Sequence, residues 1–310
     1  MKKCINTTHI EGLLYESKLE LKESGPKSKN PGTKFISGSI DIATDDAGIN
    51  IVPVHFTYVT EKTAKGSTNA TFTTLMNIID KKFGTVMANG KDNAVKLRID
   101  SALNLNEFYS ERNGKEELVS AKRNEGGFVH VVDNLAEDEN TRNTFKCDIL
   151  ITGVTLKEAD PERQIPEKAI IKGAIFDFRG ALLPVEFSAV NPGAIAYFEG
   201  LNASNKNPTF TCVWGRQVSE TIVRTITEES AFGEDSIREV KSTRKDFVIT
   251  GASKIPYEWD TEETITANEL AEAIANRETY LATIKQRQDE YKASLGNTST
   301  ATPSNSGFNF

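Results

Sequence analysis

No stretch of this sequence approaches the ~18 consecutive apolar residues that a membrane helix needs, so no membrane contact is expected. The opening residues, Met1 to Thr8, carry two lysines but no apolar run after them, and a secretory leader is not expected. Cysteine is scarce. Cys4, Cys147 and Cys212 lie far apart and are odd in number, which fits a reducing cytoplasm better than a disulfide framework. They read as small buried hydrophobes. Histidine is as rare, and His9, His55 and His130 offer no metal-ligand spacing with the cysteines. A glycine-rich phosphate loop followed by Lys and Ser/Thr is missing, and so is a G-x-S-x-G elbow. The acidic pairs, such as Asp45-Asp46 and Glu137-Asp138-Glu139, fall in loop-like stretches where solvated charge is the ordinary explanation. Neither an enzyme, nor a metal, nor a cofactor is therefore expected.

What is present is a duplication. Lys34 to Val59 reads as two strands and a turn. Ile36, Gly38, Ile40 and Ile42 alternate with Phe35, Ser37, Ser39 and Asp41. Val52, Val54, Phe56 and Tyr58 alternate with Pro53, His55 and Thr57, after turn chemistry at Asp45-Asp46-Ala47-Gly48. The pattern recurs from Ala169 to Val190. Ile36-Ser37-Gly38-Ser39-Ile40 matches Ile171-Lys172-Gly173-Ala174-Ile175, and Val52-Pro53-Val54-His55-Phe56 matches Leu183-Pro184-Val185-Glu186-Phe187. Two matches in the same order predict a repeated fold, and 310 residues hold two domains of ordinary size.

Around this pair the first unit lays out five strands. His9 to Glu23 reads as a long strand with a bend at Gly12, followed by a Pro/Gly/Lys loop from Ser24 to Thr33. Asn69 to Phe83 has apolar residues at Phe72, Leu75, Met76 and Ile79, a helical spacing capped by Asn69. Ala94 to Ile99 is a strand, Leu103 to Ser120 a hairpin with its tip at Arg112-Asn113-Gly114-Lys115, and Gly126 to Val132 the last strand. A helix between the third and fourth of five strands is the order of an OB-fold, a small Greek-key barrel. The second unit repeats that order with strands at 145–156, 169–178, 181–190, 209–226 and 237–251 and a short helix at 194–201. The expected architecture is mainly β, with two tandem OB-fold-like five-stranded barrels at 1–133 and 145–260 and an acidic linker at 134–144. A C-terminal helix at 266–295, opened by the capping box Thr266-Ala267-Asn268-Glu269, precedes a disordered tail at 296–310. The helix is expected to dock on the second barrel or to mediate homo-oligomer formation.

An OB barrel binds strands across its second and third strands and between two of its loops. Such a site needs cations to follow phosphates and rings for bases to stack on. In the first unit the candidates are Lys34, Phe35, His55, Lys62, Lys65, Lys96, Arg98, Phe108, Tyr109, Arg112, Lys115, Lys122 and Arg123, with Lys27 and Lys29 in the first loop. Phe35, His55, Lys96 and Arg98 are expected to point outward. The second unit offers Trp214 and Arg216, then Phe176, Arg179, Arg224, Arg238, Lys241, Arg244 and Lys245. An outward lysine on a strand ordinarily serves solubility, and Trp214 alternates with Phe210 and Cys212 as a core residue would. Net charge is −7, which makes local rather than global charge the relevant quantity.

The run Phe35-Ile36-Ser37-Gly38-Ser39-Ile40-Asp41-Ile42-Ala43-Thr44-Asp45-Asp46 resembles the second strand of bacterial and phage single-stranded DNA-binding proteins. Two units in tandem resemble the forms found in phages and mobile elements. That resemblance implies a non-enzymatic protein of the cytoplasm, or of a host's cytoplasm. It would bind single-stranded DNA, with RNA as the alternative strand, during replication or recombination. The bacterial family ends in an acidic tip closing on Pro-Phe that recruits replication proteins. Here the tail closes on Gly307-Phe308-Asn309-Phe310 without the acidic residues, and recruitment through it is an expectation only. The competing expectation is a structural or assembly protein, a virion component or scaffold, using the same barrels for protein contacts.

Overall fold

A computed structural model describes residues 4–112, 114–159, 166–228, 232, 236–259, 261 and 264–296. Residues 297–310 of the expected tail lie outside these residues, as do all of 160–165. Among the described residues the chain is mainly β and closes on a long helix, and no helix is long and apolar enough to cross a membrane.

Strands β1 (Asn6–Ser17), β2 (Glu20–Glu23), β3 (Lys34–Ala43) and β4 (Ile51–Thr60) come first. Helix α1 (Ala70–Ile79) follows, with Asn69 as its cap: the Asn69 side chain accepts from the Thr71 amide. A short helix α2 (Val86–Asn89) leads to β5 (Lys96–Arg112) and β6 (Lys115–Val131). The expected separate hairpin and closing strand are thus one long hairpin. Its register shifts once, between Asp100 and Ala102 on β5, and Arg112 pairs with Lys115 at its tip. The second half contributes β7 (Asn143–Lys157), β8 (Lys168–Phe176), β9 (Leu182–Ala189), α3 (Pro192–Gly200), β10 (Thr209–Glu228) and β11 (Ser236–Ala252), then α4 (Ala267–Gly296).

Pairing joins these strands into two rings. In the first, β1 pairs β3, β3 pairs β4, β4 meets β6 in parallel at His55 and Glu125, β6 pairs β5, and β5 returns to β1. In the second, the same order runs β7, β8, β9, β11, β10 and back to β7, with one parallel pair, Val248 and Ser188, at β9–β11. The rings are joined edge to edge, because β1 also pairs β7 from Asn6–Cys147 to Ile10–Asn143.

The repeated motif has a steric cause. A Cβ on Gly38 would lie 2.1 Å from the Lys18 carbonyl oxygen, and one on Gly173 would lie 2.3 Å from that of Leu150. In the first ring the backbone just past β1, and in the second β7 itself, runs hard against the second strand at this glycine, and no side chain fits. The expected bend at Gly12 is instead a register shift between Leu14 and Glu16.

Each ring is filled by its alternating apolar residues. Ile10, Ile36, Ile40, Val54, Phe56, Leu97 and Ile99 are buried in the first with Leu75 of α1, and Phe145, Ile149, Ile171, Phe187 and Val213 in the second with Phe198 of α3. Leu103 and Leu105 of β5 are buried in the second core, not the first. The arm that the sequence places in a binding loop is therefore rooted in the other ring. The acidic linker is likewise packed: the Arg142 guanidinium is buried, donating to the Ala136 carbonyl and to Asp46 at 2.6 Å.

The capping box at α4 forms as expected. The Glu269 amide donates to Thr266 Oγ1 at 3.2 Å, and the Thr266 amide donates to the Glu269 carboxylate at 2.9 Å. Docking on the second ring alone is too narrow a description. Ala273 and partly buried Leu270 pack with Leu150, Phe176 and Phe210 of the second ring. Further along, α4 lies on the first ring's arm. Arg277 grips Glu107 with both guanidinium nitrogens, Gln288 exchanges two hydrogen bonds with the Tyr109 backbone, and Lys285 and Lys292 hold Glu116. These two ammonium groups pull the Glu116 carboxyl down to about 2.

Candidate nucleic-acid interface

The β1–β7 pairing makes one outward surface out of two rings. Residues paired across strands share a face. Phe128 on β6 pairs with Asp100 on β5, which pairs with His9 on β1, then Thr144 on β7 and Arg216 on β10. The adjacent row joins Thr7, Lys146, Trp214 and Gly251. Four strand spacings separate β6 from β10 along this surface, roughly 19 Å.

This face carries rings and cations together. Phe128 is 70% exposed and Trp214 41%. A Cβ on Gly251 would fall 2.3 Å from the Trp214 indole nitrogen, so the indole lies flat against a bare backbone. The core reading of Trp214 does not hold. Phe210 and Cys212 are buried on this side because Tyr257, Ile265 and α4 cover them, and Trp214 emerges beyond that cover. A groove of about 1040 Å³ runs along the first ring's end of the face. Tyr58, Phe128, Phe178, Arg179, His9 and Lys146 line it. Phe178 is 79% exposed, with the Arg179 guanidinium 4.9 Å from its ring centre. A second hollow continues from Lys146 to Trp214 and Arg216. Among the described residues, neither Lys146 nor Arg179 forms an ion pair. The face is not free of acid: Asp100 accepts from His9 Nδ1 at 2.8 Å, and Asp177 accepts the amides of Arg179 and Ala181 within its turn.

Tyr58 reaches the groove through a register shift. Gly38 pairs with Phe56, but Ile36 pairs with Val59, so β4 holds an extra residue. Val59 takes the inward position that strict alternation assigns to Tyr58. Tyr58 turns out, and Phe35 stacks on it with ring centres 4.6 Å apart. Phe35 is thus half-buried rather than freely outward.

The sequence-derived candidates separate into four places. Arg98, Trp214 and Arg216 are exposed on the common face, with Arg98 3.9 Å from Asp100 and Arg216 hydrogen-bonded to Asn140. His55, Lys122 and Arg123 line a separate cleft between the rings. His55 is half-buried there, and burial, then the Arg123 charge, push its pKa down. Phe108, Tyr109 and Lys115 lie on the β5–β6 arm, where α4 engages the Tyr109 backbone and Lys285 stands 5.2 Å from the Tyr109 ring. The Arg112 side chain lies outside the described residues, as do those of Arg224 and Lys241. Lys34, Lys62 and Lys65 are exposed at the strand and loop ends, and the Lys96 ammonium is tied to the Asp133 carbonyl at 2.8 Å. Phe176 is fully buried under α4 and leaves the candidate set.

Lys146, Phe128 and Phe178 were not singled out by sequence. Lys146 is the outward residue between buried Phe145 and Cys147, a signal present in the strand pattern. Its meeting with Trp214 depends on β7–β10 register and could not be read there. No group of three or more His, Cys, Asp or Glu able to hold a metal ion occurs among the described residues.

No curated protein matches the chain in sequence. Among solved structures it is similar to the wild-type single-stranded DNA-binding protein from Thermus aquaticus, at 11% identity and a TM-score of 0.44, over 86% of this chain and 97% of that one. The profile of the YorF family matches residues 5–287, most of the chain, and the protein belongs to the YorF family.

Proposed function

We propose that this protein binds single-stranded DNA without catalysis and protects or organises it during replication or recombination. The observation that carries the reading is the continuous outward face on which Tyr58, Phe128, Phe178 and Trp214 stand among Lys146, Arg179 and Arg216. Bases stack on the rings, and the cations neutralise the backbone between them. On this reading each five-strand ring is an OB-like barrel, residues 1–133 and 145–260 are the two barrels, and 134–144 joins them. The shared face makes them one site, with a single strand crossing from one barrel to the other. Phe35 acts by backing Tyr58, and Arg98 extends the face beyond Asp100.

The test is fluorescence anisotropy of a labelled oligo-dT of about 30 nucleotides titrated with full-length protein at several salt concentrations. Three cations on the face predict a slope of log K against log salt of about −2. Duplex DNA should compete poorly, and an oligo-U of equal length reports whether RNA is accepted. Absence of binding at low salt would overturn the reading and leave assembly, measured by light scattering, as the alternative.

A further inference from the structure

The cleft between the rings holds more positive charge than it neutralises. It encloses about 280 Å³, and its walls include His55, Lys122, Arg123, Lys245 and Asp246. Arg123 is matched by Glu125 at 2.9 Å, and Asp246 by Lys168 at 3.0 Å. Lys122 and Lys245 have no carboxylate within ion-pair distance among the described residues. Lys122 is nonetheless fixed. Its ammonium donates to the Glu186 carbonyl and sits 5.5 and 5.1 Å from the ring centres of Phe187 and Phe247. That arrangement orients the charge without cancelling it. Burial pushes the Lys122 pKa down against the charges of Asp246 and Glu186, and burial, then the Arg123 charge, lowers that of His55 against Asp41 and Glu125. Neutral polar groups complete the wall: the side chains of Asn124 and Gln217 exchange two hydrogen bonds, at 2.8 and 3.0 Å.

We infer that this cleft binds a phosphate monoester. Two ammonium groups without an ion-pair partner match a group carrying about −1.5 to −2 charge at neutral pH, whereas a carboxylate would answer only one of them. The volume exceeds a bare phosphate and approaches the lower end of small-ligand sites, about 300 Å³. Two sources have this chemistry, a free nucleotide and the phosphorylated end of a strand. The inference does not depend on the strand-binding reading, since none of the rings or cations of the outward face lines the cleft.

The test titrates full-length protein with adenosine monophosphate, adenosine and inorganic phosphate by calorimetry at low ionic strength. Adenosine monophosphate should bind at least tenfold more tightly than adenosine, and inorganic phosphate should compete with it. Lys245→Gln, an exposed substitution on the β10–β11 arm, should weaken adenosine monophosphate at least fivefold. Equal binding of nucleotide and nucleoside, or an unchanged Lys245→Gln, overturns the inference, whatever oligo-dT does. A 5′-phosphorylated oligo-dT that outbinds its 5′-hydroxyl counterpart, with the gain lost in Lys245→Gln, assigns the monoester to a strand end. Equal binding of the two oligonucleotides alongside tight adenosine monophosphate assigns it to a free nucleotide.

Discussion

The β3–β4 face of the first ring and the face running from β6 to β10 begin from the same kind of alternating strand and end in opposite conditions. The first is closed. The β10–β11 arm of the second ring leans over it, with Asn50 donating to the Gln217 carbonyl and the Ser219 amide donating to Asn50. The second is open, because β1 and β7 meet edge to edge and, among the described residues, no element crosses their outward side between Phe128 and Trp214. The outward side of one ring becomes the wall of a cleft once the second ring is present. The exposed rings and cations then collect on the surface that only the pair of rings creates.

The largest expected effect tests this division directly. Lys146→Glu with Arg216→Glu should weaken oligo-dT binding at least about 100-fold at low salt, since two phosphate partners become repulsive. His55→Ala, on the closed side, should change 5′-hydroxyl oligo-dT affinity by less than about twofold. Comparable losses from both would erase the distinction. A slightly smaller effect is expected from Trp214→Ala, which removes one stacking platform worth roughly 1–3 kcal/mol. Intrinsic tryptophan quenching on titration should fall with it.

Closure of the other face is tested by Gln217→Leu. It leaves the Asn124 side-chain oxygen buried without its donor, while the amide nitrogen keeps the Pro53 carbonyl, and should cost about 1–3 kcal/mol in denaturant unfolding. If the faces are independent, oligo-dT affinity of the folded variant stays within about twofold of wild type. The smallest effect is a pH dependence. The folded pKa of His55 lies below its ordinary 6.5, so the folded state resists protonation more than the unfolded one. The stabilising contribution is present above 6.5 and is lost as pH falls through the lowered value. Unfolding at pH 7 and pH 5 should therefore differ less in His55→Asn than in wild type.

Local structure was largely legible in the sequence. Alternation around Ile40 and Val54, the Asn69 cap, the Thr266-Glu269 capping box and the repeated glycines all act over a few residues, and each forms where its chemistry requires. The Gly38 and Gly173 matches even report a tertiary fact, since a glycine is forced wherever another strand's backbone arrives at that position. The site was legible only in part. Trp214 and Arg216 came from residue type, and Phe35 came with its partner Tyr58 assigned inward, because one extra residue on β4 reverses the alternation. Lys122 read as a candidate strand-binding cation and lies half-covered against the second ring's phenylalanines.

By itself, then, the sequence determined the mainly β character, the two repeated strand sets and the helix that ends the described chain. These follow from periodicity and from steric demands within short stretches. Only the tertiary structure decided which faces stay open. That outcome depends on the β1–β7 edge pairing, on Leu103 and Leu105 entering the other ring's core, and on α4 pinning the β5–β6 arm through Glu107 and Glu116. Each joins residues far apart in the chain, and burial between them is set by register and packing that no single strand encodes.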